Sequence, residues 1–563
     1  MKRISATLLV CLMLTGCGAK ASPAETAPVT EVSESTAIQE TPETSYESRF
    51  DAETIITLSD DGILVDSLDS GADADAVVVS HDIIYYENRD AYDSGNPYGE
   101  GEQWERHSAE EAAAHTVVNI TKPGAYRVEG TLCAGQIRVD LGENAYYDET
   151  AVVELILDNA DITCTVAPAI LFRNTYECDG SWSEEDAKPD VDTAKAGANL
   201  ILEGSSKVSG SHVAKIFKDT DGEKKLWKQD GAVYSYMSMN IFGPGSLELT
   251  ADNEGMGTEL HLTINGGDIQ IHSDNDGINT NEDNVSVTTI NGGNLTIFAG
   301  LGAEGDGIDS NGYLVINGGN VFSSAKPQSD AGLDSDLGSY IHGGTVIAMG
   351  STMDWAESDS KQVTMNLQFT RQQKAGSKIV ITTEDGTEIF SFENGGEYAR
   401  GFQGLVLSHS SFQQGETYHV YVDGVQMAYT GTDVGFGPGG FGGRPGEMPE
   451  GMEFPEGMEL PEGMEFPEGM EPGQRPEGFE MPEGFDPEIM GGGRGQRPEV
   501  EGRTPPEGFD GEMPTWPEGE MPGMPEGGFG GMEAVSGEAS AEFYMNDKVN
   551  AFSGVMPMTE QTA

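Results

Sequence analysis

An all-β fold, and within that class a right-handed parallel β-helix, is predicted by three features of the sequence. First, Ile264-Asn265-Gly266-Gly267 recurs as Ile290-Asn291-Gly292-Gly293, as Ile316-Asn317-Gly318-Gly319 and as Ile341-His342-Gly343-Gly344, at intervals of 26, 26 and 25 residues. Second, each copy sits between short alternating runs such as Leu260-His261-Leu262-Thr263-Ile264 and Asp268-Ile269-Gln270-Ile271. That period of two is the mark of half-buried strands, here bent at the Gly-Gly pair. Third, no helical periodicity separates them. A period in the mid-twenties suits one coil, which cannot bury its apolar face alone and stacks on its neighbours. Leucine-rich repeats share the period, but their Leu pattern and helix are missing, and a calcium β-roll would repeat about every nine residues.

The elements follow in chain order. Lys2 and Arg3 precede an apolar run at 4–14 that is too short to span a bilayer, the pattern of a signal peptide. The run ends Leu14-Thr15-Gly16-Cys17, which resembles the bacterial lipobox. Residues 1–17 are therefore expected to be a lipoprotein signal, with Cys17 acylated and the chain anchored to the membrane on its extracytoplasmic face. Residues 18–50 are rich in Ser, Thr, Glu, Pro and Ala and read as a disordered tether. Residues 51–352 carry the coils, with looser versions and longer excursions upstream, at 128–139, 152–162, 200–208 and 233–249. Residues 353–432 lose the period and read as a small β cap, with hairpin turns at Glu384-Asp385-Gly386 and Asp423-Gly424. Residues 433–532 are Pro, Gly, Glu and Met, with a Pro every six residues at 449, 455, 461 and 467, and read as a disordered acidic linker. Residues 533–563 are a tail that regains strand character from Glu542.

The 563 residues include 96 acidic and 30 basic side chains, a net charge of −66 at pH 7. Such a balance excludes nucleic-acid binding, which requires Lys and Arg against phosphate. It also disfavours any polyanion unless a cation mediates the contact. With Cys11 in the signal and Cys17 acylated, Cys133, Cys164 and Cys178 remain, enough for one disulfide at most. No Cys/His cluster has zinc spacing.

The chemical signal lies in the polar corner that follows the second strand of successive coils. Aligning Ile278, Ile308 and Leu333 places Asn279, Asp309 and Asp334 in one column, Asn281, Asn311 and Asp336 in a second, and Asp276 and Asp306 in a third, with Asp330 opening the last corner. Stacked strands are about 4.8 Å apart. Two carboxylates at that spacing repel by roughly 3–4 kcal/mol at an effective dielectric near 20, a serious load on a marginally stable fold. A hard cation relieves it, and Asp, Asn and carbonyl oxygens are calcium ligands. Calcium is thus the expected cofactor. No EF-hand loop is present.

These motifs, Ile-Asn-Gly-Gly together with Gly305-Asp306-Gly307-Ile308-Asp309-Ser310-Asn311, resemble the clostridial carbohydrate-binding parallel β-helix family, which is similar in fold to calcium-dependent pectate lyases. Asp230-Gly231-Ala232-Val233-Tyr234-Ser235 looks like that family's entry into its central coils. The resemblance covers roughly 52–430 and is strongest at 230–350. It implies calcium on the corner residues, Asp306 and Asp309 above all, and a plant cell-wall polysaccharide, acidic pectin or cellulose, as partner. The early coils depart from the pattern, with an insertion at 182–195.

A lyase would need a Lys or Arg base beside calcium. Lys326 is the one Lys or Arg between Gly231 and Gly350, and it sits in a loop with no second cation to clamp a substrate. Neutral glycans would stack on aromatics, for which Trp182, Trp227 and Trp355 are the candidates. The sequence therefore favours a non-catalytic binder over a pectate-lyase-like enzyme or a calcium-stiffened spacer.

Overall fold

Strands in which every second side chain is fully buried determine how this chain returns on itself. The computed structural model describes residues 46–67, 76–87, 105–180, 183–184, 186–217, 225–351, 354–432 and 539–558. The expected signal segment with Cys17, the 433–532 segment and Trp182 lie outside the described residues. The all-β expectation holds, the longest described helix being the five residues Ala109–Ala113.

The strands form three ladders, and in each a strand pairs in parallel with its counterpart one repeat later. The first ladder runs from Glu53–Leu58 through Gly124–Leu132, Val153–Thr163 and Ala198–Glu203 into the exact repeats, ending at Gly338–Ile341. Ile264, Ile290, Ile316 and Ile341 stand in register in it, each no more than 1% exposed. The second ladder follows the Gly-Gly bend, from Ser205–Gly210 to Thr345–Gly350, and buries Ile269, Leu295, Val321 and Val346. The third runs from Thr116–Ile120 to Leu333–Ser335 and contains the polar corners themselves. Sequence alternation identified the first two strands of each coil. In the last three repeats the third strand, Ile278–Thr280, Ile308–Ser310 or Leu333–Ser335, is only three residues long, below the length at which alternation is legible, so its residues read as a corner.

At the bend, the second glycine of each motif takes a left-handed backbone, with φ of +86° at Gly293 and +84° at Gly319. The asparagines beside them form a row: Asn291 Nδ2 donates to Asn265 Oδ1 and Asn317 Nδ2 to Asn291 Oδ1, both at 2.9 Å.

Beyond the last coil, Thr345–Gly350 pairs antiparallel with Phe402–Ser408, which pairs with Thr364–Gln373. The hairpin of Lys378–Thr383 and Glu388–Glu393 turns at 384–386, and that of Thr417–Val422 and Val425–Ala428 turns at Asp423-Gly424. Val549–Pro557 then lies parallel to Thr364–Gln373, burying Phe552 and Val555, and Phe543 and Met545 are buried beside it.

One sequence expectation is corrected. The tether does not run to Phe50. Tyr46 packs on Phe242 with ring centres 4.6 Å apart, and the fully buried Glu154 carboxylate accepts from Ser48 Oγ at 2.6 Å and Arg49 N at 2.8 Å. A buried carboxylate requires such donors, and these come from the segment that composition alone marked as unpacked. No disulfide joins the three described cysteines, within the one at most that their number allowed, and burial pushes the Cys164 and Cys178 thiols up to about 12.

Candidate functional site

In each three-residue corner strand the first and third side chains face inward and the middle one outward. Ile278, Ile308 and Leu333 are buried, and so are the third-position hydroxyls, with Thr280 Oγ1 and Ser310 Oγ 2.9 Å apart. This leaves Asn279, Asp309 and Asp334 as direct register partners in one outward column.

The column is crowded. Burial holds the Asp309 carboxyl well above the usual carboxylate range, and the charges of Asp276, Asp306, Asp334 and Asp336 push it the same way. Asp354, on the segment after the last coil, is pushed up to about 7 by burial and by Asp334, even though the Ser335 N–H donates to its Oδ2 at 3.0 Å. Asp276 Oδ1 accepts from the Asp306 N–H at 2.7 Å, and Asp306 Oδ1 from the Ala331 N–H at 2.6 Å. These bonds fasten one coil to the next and fix both carboxyls beside the column. Asn279, 5% exposed, donates to Glu254 Oε1 at 3.0 Å. Its Oδ1 is buried with no hydrogen-bond partner.

The remaining expected residues have other work. Asp330 Oδ2 accepts from Gly305 N at 3.0 Å and Ser329 Oγ at 2.7 Å. Asn281 and Asn311 donate across coils to the carbonyls of Thr258 at 3.1 Å and Asn281 at 3.0 Å. Asp336 lies at the exposed rim. The structure thus gathers Asp276, Asn279, Asp306, Asp309 and Asp334, and adds two residues that sequence reasoning missed. Glu254 stands two residues before Met256, which pairs with Ile278, so extending the alignment one coil upstream with Met at the apolar position would have found it. Asp354 lies outside every repeat and left no signal.

Among the described residues no three His, Cys, Asp or Glu side chains form a group arranged to hold a metal ion by themselves. A cation here would draw on amide oxygen as well. The all-oxygen donor set and the buried, unpartnered Asn279 Oδ1 fit a hard cation, because an acceptor without a donor is otherwise costly to bury.

Lys326 is held elsewhere. Its ammonium donates to the carbonyls of Gly302, at 2.6 Å, and Ala303, in the loop that precedes Asp306. Trp355 packs against the core, partly buried.

Parts of this chain are similar to known proteins. A curated relative from Acetivibrio thermocellus, described as a carbohydrate-binding domain-containing protein, is 31% identical over 155 residues. That alignment covers 27% of this chain and 44% of the relative, so the chain spans less than half of its length. Among solved structures, a gadolinium derivative of the polysaccharide lyase-like protein from C. thermocellum is 22% identical, at a TM-score of 0.30, over 52% of this chain and 92% of that one. Residues 114–391, the stretch that holds the second and third ladders, all of the first but its opening strand, and every corner carboxylate of the column, match the model of the carbohydrate-binding domain-containing family.

Proposed function

We propose that this protein is a calcium-dependent, non-catalytic carbohydrate-binding lipoprotein, anchored through Cys17 and directed at acidic plant cell-wall polysaccharide. In this reading the three parallel ladders are the faces of a right-handed parallel β-helix. Asp276, Asn279, Asp306, Asp309 and Asp334 hold calcium at the corner. The observation that carries the proposal is the crowding at Asp309, a column of carboxylates beside a buried amide oxygen that lacks a donor. When bound, the ion would offset part of the column's charge and offer its open coordination positions to the carboxylates of an acidic polymer that a chain of −66 would otherwise repel. The family match over 114–391 supports a carbohydrate partner. The ammonium of Lys326, engaged with two loop carbonyls, favours binding over elimination.

The test is co-sedimentation of the full chain with polygalacturonate, in calcium and in chelator, while the ultraviolet absorbance of unsaturated uronate is followed. Calcium-dependent sedimentation with a flat absorbance trace is expected, and Asp309→Asn should abolish it. In chelator the same variant should melt about 2–4 °C above wild type, the shift that roughly 1 kcal/mol of relieved repulsion gives a large domain. A calcium-dependent absorbance rise lost in Lys326→Ala would establish a lyase instead. Calcium stabilisation without affinity for any glycan would leave a structural spacer.

A further inference from the structure

The insertion that breaks the repeat near residues 182–195 has a place in the fold that the corner carboxylates do not explain. Residues 189–194 form one lining of an open groove of about 450 Å³ on the first ladder, away from the column of Asp309. Successive coils contribute Asn265, Asn291, Asn317 and Thr289, and Lys361 completes the lining. The insertion is built into these coils. Asn240 Nδ2 donates to the Thr193 carbonyl at 2.8 Å, the Thr193 hydroxyl lies 2.7 Å from Thr263 Oγ1, and Arg49 donates to the Ala194 carbonyl at 2.5 Å.

The lining has a definite chemistry. A primary amide carries two N–H donors and two oxygen lone pairs. Asn291 uses one N–H on Asn265 and one lone pair on Asn317. It therefore keeps one donor and one acceptor for a ligand, and Asn317, one repeat on and about 4.8 Å away, uses one N–H on Asn291 and keeps the other. Groups that donate and accept at once, at regular intervals along an extended chain, are the hydroxyls of a sugar polymer. The charged lining groups are Lys361 against Asp190 and Asp192, a balance that does not draw a polyanion. Its size is that of ordinary small-molecule clefts, about 300–1,000 Å³.

We propose that this groove is a separate subsite for neutral, hydroxyl-rich oligosaccharide, laid along the asparagine row and independent of the corner cation. The proposal rests on the carbohydrate-binding reading, and its test separates the two. Isothermal titration of the full chain with the neutral probes cellohexaose and xylohexaose, and with polygalacturonate, is run in calcium and in chelator. At least one neutral probe is expected to bind equally in both conditions. Asn291→Ala should weaken it about tenfold, the scale of one or two lost hydrogen bonds. Ala194→Trp, at an exposed position of the wall, should block it while leaving polygalacturonate binding and the melting temperature unchanged, so that loss of folding is not mistaken for loss of the site. Neutral-probe binding that both variants leave intact, or that chelator abolishes, would overturn the groove while keeping the carbohydrate reading. Polygalacturonate binding with no neutral-probe binding would do the same. Binding of none of the three would defeat both.

Discussion

At the scale of single residues, the features that decide behaviour are buried charges and the groups that answer them. His212 is 7% exposed and lies between two carboxylates, Nδ1 to Asp252 Oδ1 and Nε2 to Glu105 Oε1, both at 3.0 Å. Burial alone would lower its pKa, but the hydrogen bonds to Asp252 and Glu105, with the charges of Asp252 and Asp230, outweigh it and raise it to about 10. The folded state therefore keeps a proton that the unfolded chain releases near 6.5. The stability that His212 contributes is complete below about pH 6.5 and is lost as pH rises towards 10. Denaturant titrations across that window should show a falling stability, with a shallower slope in His212→Gln. Arg127 plays a similar part at the start of the fold, joining Glu53, Asp158 and Glu203 from three strands of the first ladder, with Glu53 gripped by two nitrogens at 2.7 and 3.0 Å.

At the scale of elements, the repeated bend is the constraint that everything else obeys. A Cβ at Gly319 would sit 2.8 Å from the Gly293 carbonyl oxygen, and the left-handed φ would be strained by any side chain. Gly319→Ala should destabilise the coils by about 1–3 kcal/mol, the range for a forced unfavourable backbone, seen as a lower midpoint in chemical denaturation. This is also the part of the molecule most legible in sequence. The Ile and Gly of each bend repeat because every coil needs the same inward side chain and the same turn. The same regularity aligns Asn279, Asp309 and Asp334 into a column from the sequence alone. What did not repeat did not show. Asp354 occurs once, the three-residue corner strands are too short to display alternation, and the contacts of residues 46–50 with Glu154 join positions about a hundred residues apart. Nothing in the sequence marks Glu154 as buried, because its partners come from a stretch too polar to suggest packing.

At the scale of the whole molecule, the last strand changes what the acidic segment is. Tyr429 and Ser540 exchange backbone hydrogen bonds at 2.8 and 2.9 Å, and Gly431 bonds Ser553, so the chain leaves and re-enters the cap at one spot. The described residues on either side of positions 433–538 thus pair with each other, where the sequence suggested a linker and then a tail. Cutting the chain between them should release nothing. After limited proteolysis there, the fragment carrying Phe543, Met545, Phe552 and Val555 is expected to co-elute with the remainder in size-exclusion chromatography under native conditions and to separate in denaturant. The N-terminal contacts have a mechanical meaning as well. A pull applied through the residues before Tyr46 enters the fold at Ser48 and Arg49, which hold Glu154 and the Ala194 carbonyl. Ala194 belongs to the wall of the groove along the asparagine row. Tension between an anchor at one end and a polymer in that groove at the other would run through a handful of hydrogen bonds at one edge of the molecule. The covalent chain carries the rest of that load into Glu53–Leu58, so the contacts of Ser48 and Arg49 would be loaded first and the pairing of the first ladder directly behind them.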